Sequence, residues 1–124
     1  YESLFTQLQQ LLSFTGDIEI TLEANPGTIE QQRFNDYRQL GINRLSLGIQ
    51  SFNAKHLKAL GRIHDDKQAH KAIETARKAG FENINIDIMH SLPEQSVEEG
   101  LEDLHTALSH QPEHLSWYQL TIEP

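Results

Sequence analysis

RLSLGIQ, residues 44–50, is the stretch that decides the fold of this chain. It is a run of apolar residues that ends in a polar one, and a turn and an amphipathic segment follow it. Three further segments share this design, at residues 18–23, 83–88 and 115–122. Runs rich in Ile and Leu that alternate with helical stretches are typical of strands in a parallel sheet. The sequence therefore predicts an α/β fold with four parallel strands.

Helical segments precede and separate these strands, and they include residues 2–14 and 66–79. Their inner faces are predicted from apolar residues at helical spacing, and in the last helix these are Val97, Leu101, Leu104 and Leu108. Capping boxes are expected to begin two helices, and glycines are expected to end three. These signals are the pairs Thr28/Gln31 and Ser96/Glu99, and the glycines Gly41, Gly61 and Gly80.

The resulting order, α-β-α-β-α-α-β-α-β, predicts either a doubly wound sheet or part of a (β/α) barrel. Four strands are too few to close a barrel. Residues 1–124 are expected to form one unit, because no linker or low-complexity segment divides them. The chain starts with a helix and stops directly after a strand, so we expect it to be a piece of a longer protein.

Composition narrows the class of protein. The 124 residues carry a net charge of −8 and no run of Lys or Arg, which disfavours binding to nucleic-acid phosphates or to an anionic membrane. No apolar stretch approaches the roughly 20 residues of a membrane span, and no leader pattern precedes residue 18. We therefore expect a cytoplasmic protein. The chain has no cysteine, which excludes disulfides and thiolate metal ligands within it.

Three polar residues are predicted at the carboxyl ends of the strands, where ligands bind in parallel α/β folds. They are Glu23, Gln50 and Asp87. Each taken singly is also compatible with a solvated strand end, but three such residues in register favour a ligand site. Asp87 is the strongest candidate of the three, because it is flanked by two isoleucines. A charged group among apolar residues requires either a partner or a function.

Other residues are more ambiguous. Arg62 follows a glycine near the predicted strand ends, where a guanidinium suits bidentate capture of a carboxylate; the alternative is a surface arginine. Trp117 and Tyr118 are predicted to pack in the core. Seven histidines invite a metal hypothesis, but their spacing does not favour a metal site. No phosphate loop, dinucleotide-binding motif or nucleophile elbow is present.

Five stretches together resemble one family, the radical S-adenosylmethionine enzymes of the oxygen-independent coproporphyrinogen III oxidase type. The resemblance extends from about residue 18 to the end of the chain. The stretch LGRIH and the Trp-Tyr pair are more similar to the HemW-like branch of haem chaperones than to the oxidase proper. The five stretches are LEANPGT (22–28), NRLSLGIQSF (43–52), LGRIH (60–64), NIDIMHSLP (85–93) and LSWYQL (115–120).

The resemblance implies a six-stranded partial (β/α) barrel, of which this chain would supply strands three to six. The family's Cys-x-x-x-Cys-x-x-Cys loop for the [4Fe–4S] cluster, its Gly-Gly-Gly-Thr-Pro motif and its C-terminal domain have no counterpart in these residues. Arg62 would pair with the methionine carboxylate, and Gln50 and Asp87 would bond ribose hydroxyls and nearby polar groups. The positions that match the family's S-adenosylmethionine site are Glu23, Gln50, Arg62, Asp87, Leu120 and Thr121.

The implied function belongs to the longer protein, and no catalytic residue is assigned within this chain. In the intact family the cluster cleaves S-adenosylmethionine to a radical; the oxidase uses that radical to decarboxylate porphyrinogen propionates, whereas the chaperone branch binds haem. Haem or porphyrin is therefore the expected partner. The oxidase and a non-catalytic α/β binding module remain alternatives. We also expect self-association through the exposed edge at residues 18–23, unless helix 2–14 covers it.

Overall fold

The computed structural model describes residues 1–28 and 31–121, with the side chains of Thr28 and Gln31 outside that description. The predicted capping box of these two residues therefore lies outside the described residues. The order of helices and strands is the predicted one. The elements are α1 (Glu2–Leu11), β1 (Thr21–Ala24), a 3₁₀ turn at Pro26–Thr28, α2 (Gln31–Gln39), β2 (Arg44–Gln50), α3 (Ala54–Ala59), α4 (Asp66–Lys78), β3 (Ile84–His90), α5 (Val97–Ser109) and β4 (His114–Gln119).

The four strands form one sheet in the order β1-β2-β3-β4, and every neighbouring pair is parallel. The predicted α/β fold with four parallel strands is thus confirmed. Glu23 lies opposite Ser46, which lies opposite Asn85, so these three side chains share one level and one face. Because all strands run in one direction, their carboxyl ends lie along one edge of the sheet.

The two faces of the sheet differ in chemistry, since successive side chains of a strand point to opposite faces. One face is apolar and fully buried: Leu45, Leu47, Ile49, Ile84, Ile86 and Ile88. Buried residues of α2 and α4 join them in one core. The other face carries Ser46, Asn85, Asp87 and Ser116, which hydrogen-bond to one another. The sheet thus has a hydrophobic face, which forms the core, and a polar face, on which Ser46 and Asn85 are buried.

Glycines end the helices as the sequence predicts. Gly41 has φ +99°, a conformation that glycine adopts without steric cost. The next residue, Ile42, donates its N–H to the Tyr37 carbonyl at 3.2 Å and buries its side chain. This arrangement closes α2 and directs the chain into β2. The capping box of Ser96 with Glu99 at the start of α5 is also confirmed.

The first strand is shorter than the predicted 18–23 and begins at Thr21. The Asn43 side chain accounts for the difference. It accepts the Ile20 N–H at 2.8 Å and donates to the Ile18 carbonyl at 2.8 Å. A side chain therefore takes the place of a strand partner at the Ile20 N–H and the Ile18 carbonyl, whereas the Ile20 carbonyl still accepts the backbone N–H of Asn43 at 3.1 Å. β1 forms one edge of the sheet in the described part of the chain. Tyr1, the N-cap residue of α1, contacts Tyr37 of α2 edge to face, with the ring centroids 5.7 Å apart.

The predicted inner stripe of α5 is wrong in part. Val97 is 74% exposed, Leu101 44% and Leu108 53%, and Leu104 is half-buried. The helix instead buries Gly100, Asp103 and Ala107. The carboxylate of Asp103 lies on the buried side because it bonds the turn that follows β2. Trp117 and Tyr118 are likewise exposed by 42% and 40%, so they do not pack in the core as predicted.

A matched pair of substitutions tests this assignment of faces. Leu47→Ala removes a fully buried side chain from β2 and should destabilise the chain by about 2–5 kcal/mol. Leu108→Ala makes the same chemical change on the exposed face of α5 and should cost about 0.5 kcal/mol or less. Urea unfolding of both variants measures the difference. Equal losses of stability would show that the leucines of α5 face inward.

Candidate functional site

The candidate site lies at the carboxyl ends of β1 and β2. A cavity of about 200 Å³ opens there, lined by Asn25, Gly27, Gly61, Arg62, Ile63 and His64. Asn25 directly follows β1, whereas Arg62 belongs to the loop after α3. Arg62 is half-buried, and its backbone N–H donates to the Leu57 carbonyl at 3.0 Å. The fold therefore anchors the backbone of Arg62 beside the end of the first strand.

Gln50 ends β2 in a tight turn. Its φ is +70°, and the Ser51 N–H donates across it to the Ile49 carbonyl at 2.9 Å. A hydrogen bond between residues two apart defines a γ-turn, and the form with positive φ at its centre is rare and strained. Strain of this kind costs roughly 1–3 kcal/mol and clusters at functional sites. The side chain of Gln50 is 5% exposed, and its Oε1 accepts the Tyr118 hydroxyl at 2.7 Å.

Gly48 lets two amide side chains approach β2. A Cβ built on Gly48 would lie 3.1 Å from Asn25 Oδ1 and 3.2 Å from Gln50 Nε2. Both distances are tighter than ordinary contacts, so a side chain here would displace one of the amides. The glycine therefore leaves room for the amide groups of Asn25 and Gln50 above the strand, on the polar face of the sheet.

His64 holds the same turn from the other side. Its Nε2 is 2.9 Å from the Ile49 carbonyl, which can only accept, so this nitrogen carries the proton. The ring is 4% exposed. Burial lowers the pKa of His64 below its ordinary value, and the positive charge of Arg62 lowers it further, whereas the Ile49 bond raises it in opposition. The neutral imidazole is therefore the form that the folded chain favours.

Asp87 lies on the polar face but not at a strand end. β3 continues to His90, because its register with β4 extends to the pair His90 and Gln119. The prediction that Asp87 ends its strand is wrong for this reason. Its carboxylate accepts the Ser46 hydroxyl at 2.8 Å and the Asn85 amide at 2.8 Å. These bonds are the partners that a charge between two isoleucines requires.

The remaining predicted positions are more dispersed. Glu23 is exposed and is the penultimate residue of β1, and it lines a separate cavity with Asn25. Leu120 follows β4 and donates its N–H to the His90 carbonyl at 3.0 Å. Thr121 is exposed beside it. The structure thus places Asn25 in the lining of the Arg62 cavity and, like Gln50, beside Gly48, and it places Asp87 lower on the polar face.

Sequence reasoning missed Asn25, His64 and Tyr118 as members of the site. Asn25 precedes Pro26 and Gly27 in a stretch that is typical of a turn, and His64 has no metal-ligand spacing to the other histidines. The strand sequences do indicate the face on which the site lies, although not these three residues. Polar residues alternate with apolar ones in RLSLGIQ and NINID. This alternation predicts a polar face, and that face contains Ser46 and Asn85.

Comparison with known proteins shows which superfamily the chain belongs to. The chain matches the radical SAM superfamily over residues 1–107, and it belongs to that superfamily. Coproporphyrinogen III oxidase HemN from Escherichia coli, a radical SAM enzyme, is 31% identical with a TM-score of 0.88 over 98% of this chain and 28% of that chain. Methylornithine synthase PylB, with 13% identity and a TM-score of 0.78 over 97% of this chain and 33% of that chain, shares the fold alone. The sheet is thus part of a TIM-like barrel.

Curated relatives indicate a branch within the superfamily. Heme chaperone HemW from Escherichia coli is 50% identical over 99% of this chain, and heme chaperone HemW from Haemophilus influenzae is 50% identical over 98%. The chain spans about a third of the length of these relatives, 32% in both. The predicted resemblance to this family is confirmed.

The lowered pKa of His64 predicts a pH-dependent stability. The unfolded chain, in which His64 titrates near 6.5, binds more protons than the folded chain as the pH falls below 7. Stability should therefore decrease from pH 7.5 towards pH 5.5, down to the folded pKa. His64→Gln keeps a donor for the Ile49 carbonyl but does not titrate. This variant should show a shallower slope of unfolding free energy against pH in urea titrations.

The exposed His105 provides the control. His105→Gln removes one exposed histidine instead of a buried one, and it should keep a steeper slope than His64→Gln. Some slope will persist in His64→Gln, because burial and the neighbouring His70 also lower the pKa of His110. A wild-type slope in His64→Gln would contradict the buried, neutral assignment of His64.

Proposed function

We propose that these residues form part of the S-adenosylmethionine site of a HemW-like haem chaperone of the radical SAM superfamily. The observation that carries the proposal is the strained turn at Gln50, set beside Asn25 and the Arg62 cavity at the carboxyl ends of the strands. Ligands of parallel α/β folds bind at this edge. The 50% identity to heme chaperones supports the choice of branch.

The residues present fit the chemistry of S-adenosylmethionine. Its amino-acid carboxylate suits the guanidinium of Arg62, which offers several donors in a fixed plane. Its ribose hydroxyls suit amide and carboxylate groups such as those of Gln50 and Asp87. The glycine at position 48 keeps the space above β2 free of a further side chain. Glu23, Leu120 and Thr121 belong to the proposed site as flanking positions.

This chain alone does not supply the radical chemistry. It has no cysteine, and [4Fe–4S] clusters are held by cysteine thiolates, so the cluster ligands belong to other parts of the longer protein. The bound cluster would supply the electron that cleaves S-adenosylmethionine. The role of residues 1–124 is to orient the cofactor through side chains on the strand ends. We propose accordingly that they are one fragment of the radical SAM core.

Haem is the proposed cargo of the longer protein, in accordance with the names of its curated relatives. A coproporphyrinogen oxidase is the second candidate, supported by the TM-score of 0.88 to HemN. The chain is 31% identical to HemN but 50% identical to the heme chaperones. The higher identity favours the haem chaperone over the oxidase. In the described part of the chain no helix combines the length and the apolarity that a membrane span needs. A cytoplasmic location and self-association through the open edge of β1 are further parts of the proposal.

Arg62→Gln tests the cofactor site in the intact protein with its cluster reconstituted. Loss of a charge-assisted hydrogen bond should weaken binding of S-adenosylmethionine by about tenfold or more, equivalent to at least about 1.4 kcal/mol. Isothermal titration calorimetry measures the change. Lys58→Gln removes a positive charge from the exposed surface of the neighbouring helix α3 and should bind as the wild type does. Unchanged affinity in Arg62→Gln would contradict the assignment.

The isolated 124-residue chain offers a second test. Without cluster contacts it should bind S-adenosylmethionine with a Kd of about 1 mM or weaker, or about −4 kcal/mol. After incubation with iron, sulfide and a reductant, it should release no 5′-deoxyadenosine, which chromatography detects. Micromolar affinity would show that these residues carry most of the recognition. Cofactor cleavage by the isolated chain would overturn the proposed division of roles.

A further inference from the structure

A buried carboxylate on α5 contacts the turn that follows Gln50. Asp103 is 3% exposed. Its Oδ2 accepts the Ser51 hydroxyl at 2.5 Å, and its Oδ1 accepts the Phe52 N–H at 2.8 Å. The Ser51 oxygen in turn accepts the Asn53 N–H at 3.0 Å. One side chain from a helix thus fixes consecutive residues of the loop between β2 and α3.

These contacts begin at the residue directly after the strained position. Gln50 has φ +70°, and its turn is closed by the N–H of Ser51. A backbone held in a sparsely populated conformation persists where the surrounding structure over-determines it. Asp103 fixes the residues on the carboxyl side of Gln50, and His64 fixes the carbonyl on its amino side. The turn is therefore held from two separate elements.

Asp103 does not belong to the cofactor face itself. Its bonds reach Ser51 and Phe52 from α5, whereas the side chain of Gln50 meets Tyr118 and the space above Gly48. Any effect of Asp103 on a ligand at this face must therefore pass through the backbone of the turn. A charge-assisted pair of bonds is strong enough for this task, because such bonds exceed neutral ones in strength.

We propose that Asp103 is a positioning residue that holds Gln50 in its binding conformation and thereby sets the affinity of the site for S-adenosylmethionine. This inference rests on the proposed function of the site. The carboxylate has one acceptor oxygen for each of its two donors, the Ser51 hydroxyl and the Phe52 N–H. Asparagine at this position has a single acceptor oxygen and no charge, so in Asp103→Asn that oxygen can accept only one of the Ser51 O–H and the Phe52 N–H, and neither bond keeps its charge assistance.

The test uses the intact protein with its cluster reconstituted, and S-adenosylmethionine as the probe. Asp103→Asn should raise the Kd about tenfold, the equivalent of about 1.4 kcal/mol. Glu102→Gln is the matched control, because it makes the same change of charge one residue earlier on α5, at an exposed side chain. It should stay within about twofold of the wild type. All binding is measured well below the unfolding midpoint of each variant.

A double-mutant cycle separates positioning from a general loss of structure. If Asp103 acts through Gln50, then adding Asp103→Asn to a Gln50→Ala protein should weaken binding no further than about twofold. A full tenfold effect in that background would overturn the inference, and so would an unchanged Kd in Asp103→Asn alone. Absence of binding by the wild type would instead contradict the proposed function itself.

Ser51→Ala covers the case in which Asp103→Asn does not fold. It deletes one of the two donors and leaves the carboxylate bonded to Phe52. We expect a Kd raised about threefold to tenfold in Ser51→Ala, and no further increase when it is combined with Gln50→Ala. Wild-type affinity in Ser51→Ala would contradict the role of this contact.

Discussion

The carbonyl oxygen of Ile49 is the point on which the candidate site depends. It accepts the Ser51 N–H and the His64 imidazole, each at 2.9 Å. The first bond closes a strained turn around Gln50, and the second ties that turn to the loop that carries Arg62. A strand end, a turn and a neighbouring loop are thereby joined through one buried acceptor. Inside a protein such bonds are strong, and their loss leaves a costly unpaired group.

The two faces of the sheet explain how the same strands can both fold the chain and present a site. Leu47 and Ile86 are fully buried on the helix side, and their burial provides the hydrophobic stabilisation. Ser46 and Asp87 hydrogen-bond on the other face. Each strand therefore contributes alternate residues to the core and to the polar surface. A ligand on the polar face contacts side chains carried by strands, which favours precise orientation.

Much of this fold could be predicted from the sequence, because its signals are local. The alternation of apolar strands with helices predicted the order of elements, and Gly41 predicted where α2 ends. The start of β1 could not be predicted in this way, since it depends on the Asn43 side chain, which lies more than 20 residues away along the chain. The orientation of α5 depends likewise on the distant contact of Asp103 with Ser51. Periodicity identifies an apolar stripe but not the partner that it meets.

The candidate site was predictable to a similar degree. Gln50 and Arg62 were identified from their places near strand ends, but their geometry depends on groups that sequence patterns do not mark. The strained turn needs a positive φ at a glutamine, which residue propensities disfavour. Asn25 and His64 became part of the site because Gly48 and the Ile49 carbonyl bring them there. Such tertiary contacts are set by the assembled sheet.

A crystal structure of the intact protein with S-adenosylmethionine tests the central claim most directly. The account predicts the methionine carboxylate within hydrogen-bond distance of Arg62, about 3 Å. It also predicts ribose hydroxyls beside Gln50, with the γ-turn at Gln50 unchanged. A cofactor bound away from the carboxyl ends of β1 and β2, with Arg62 turned to solvent, would contradict it.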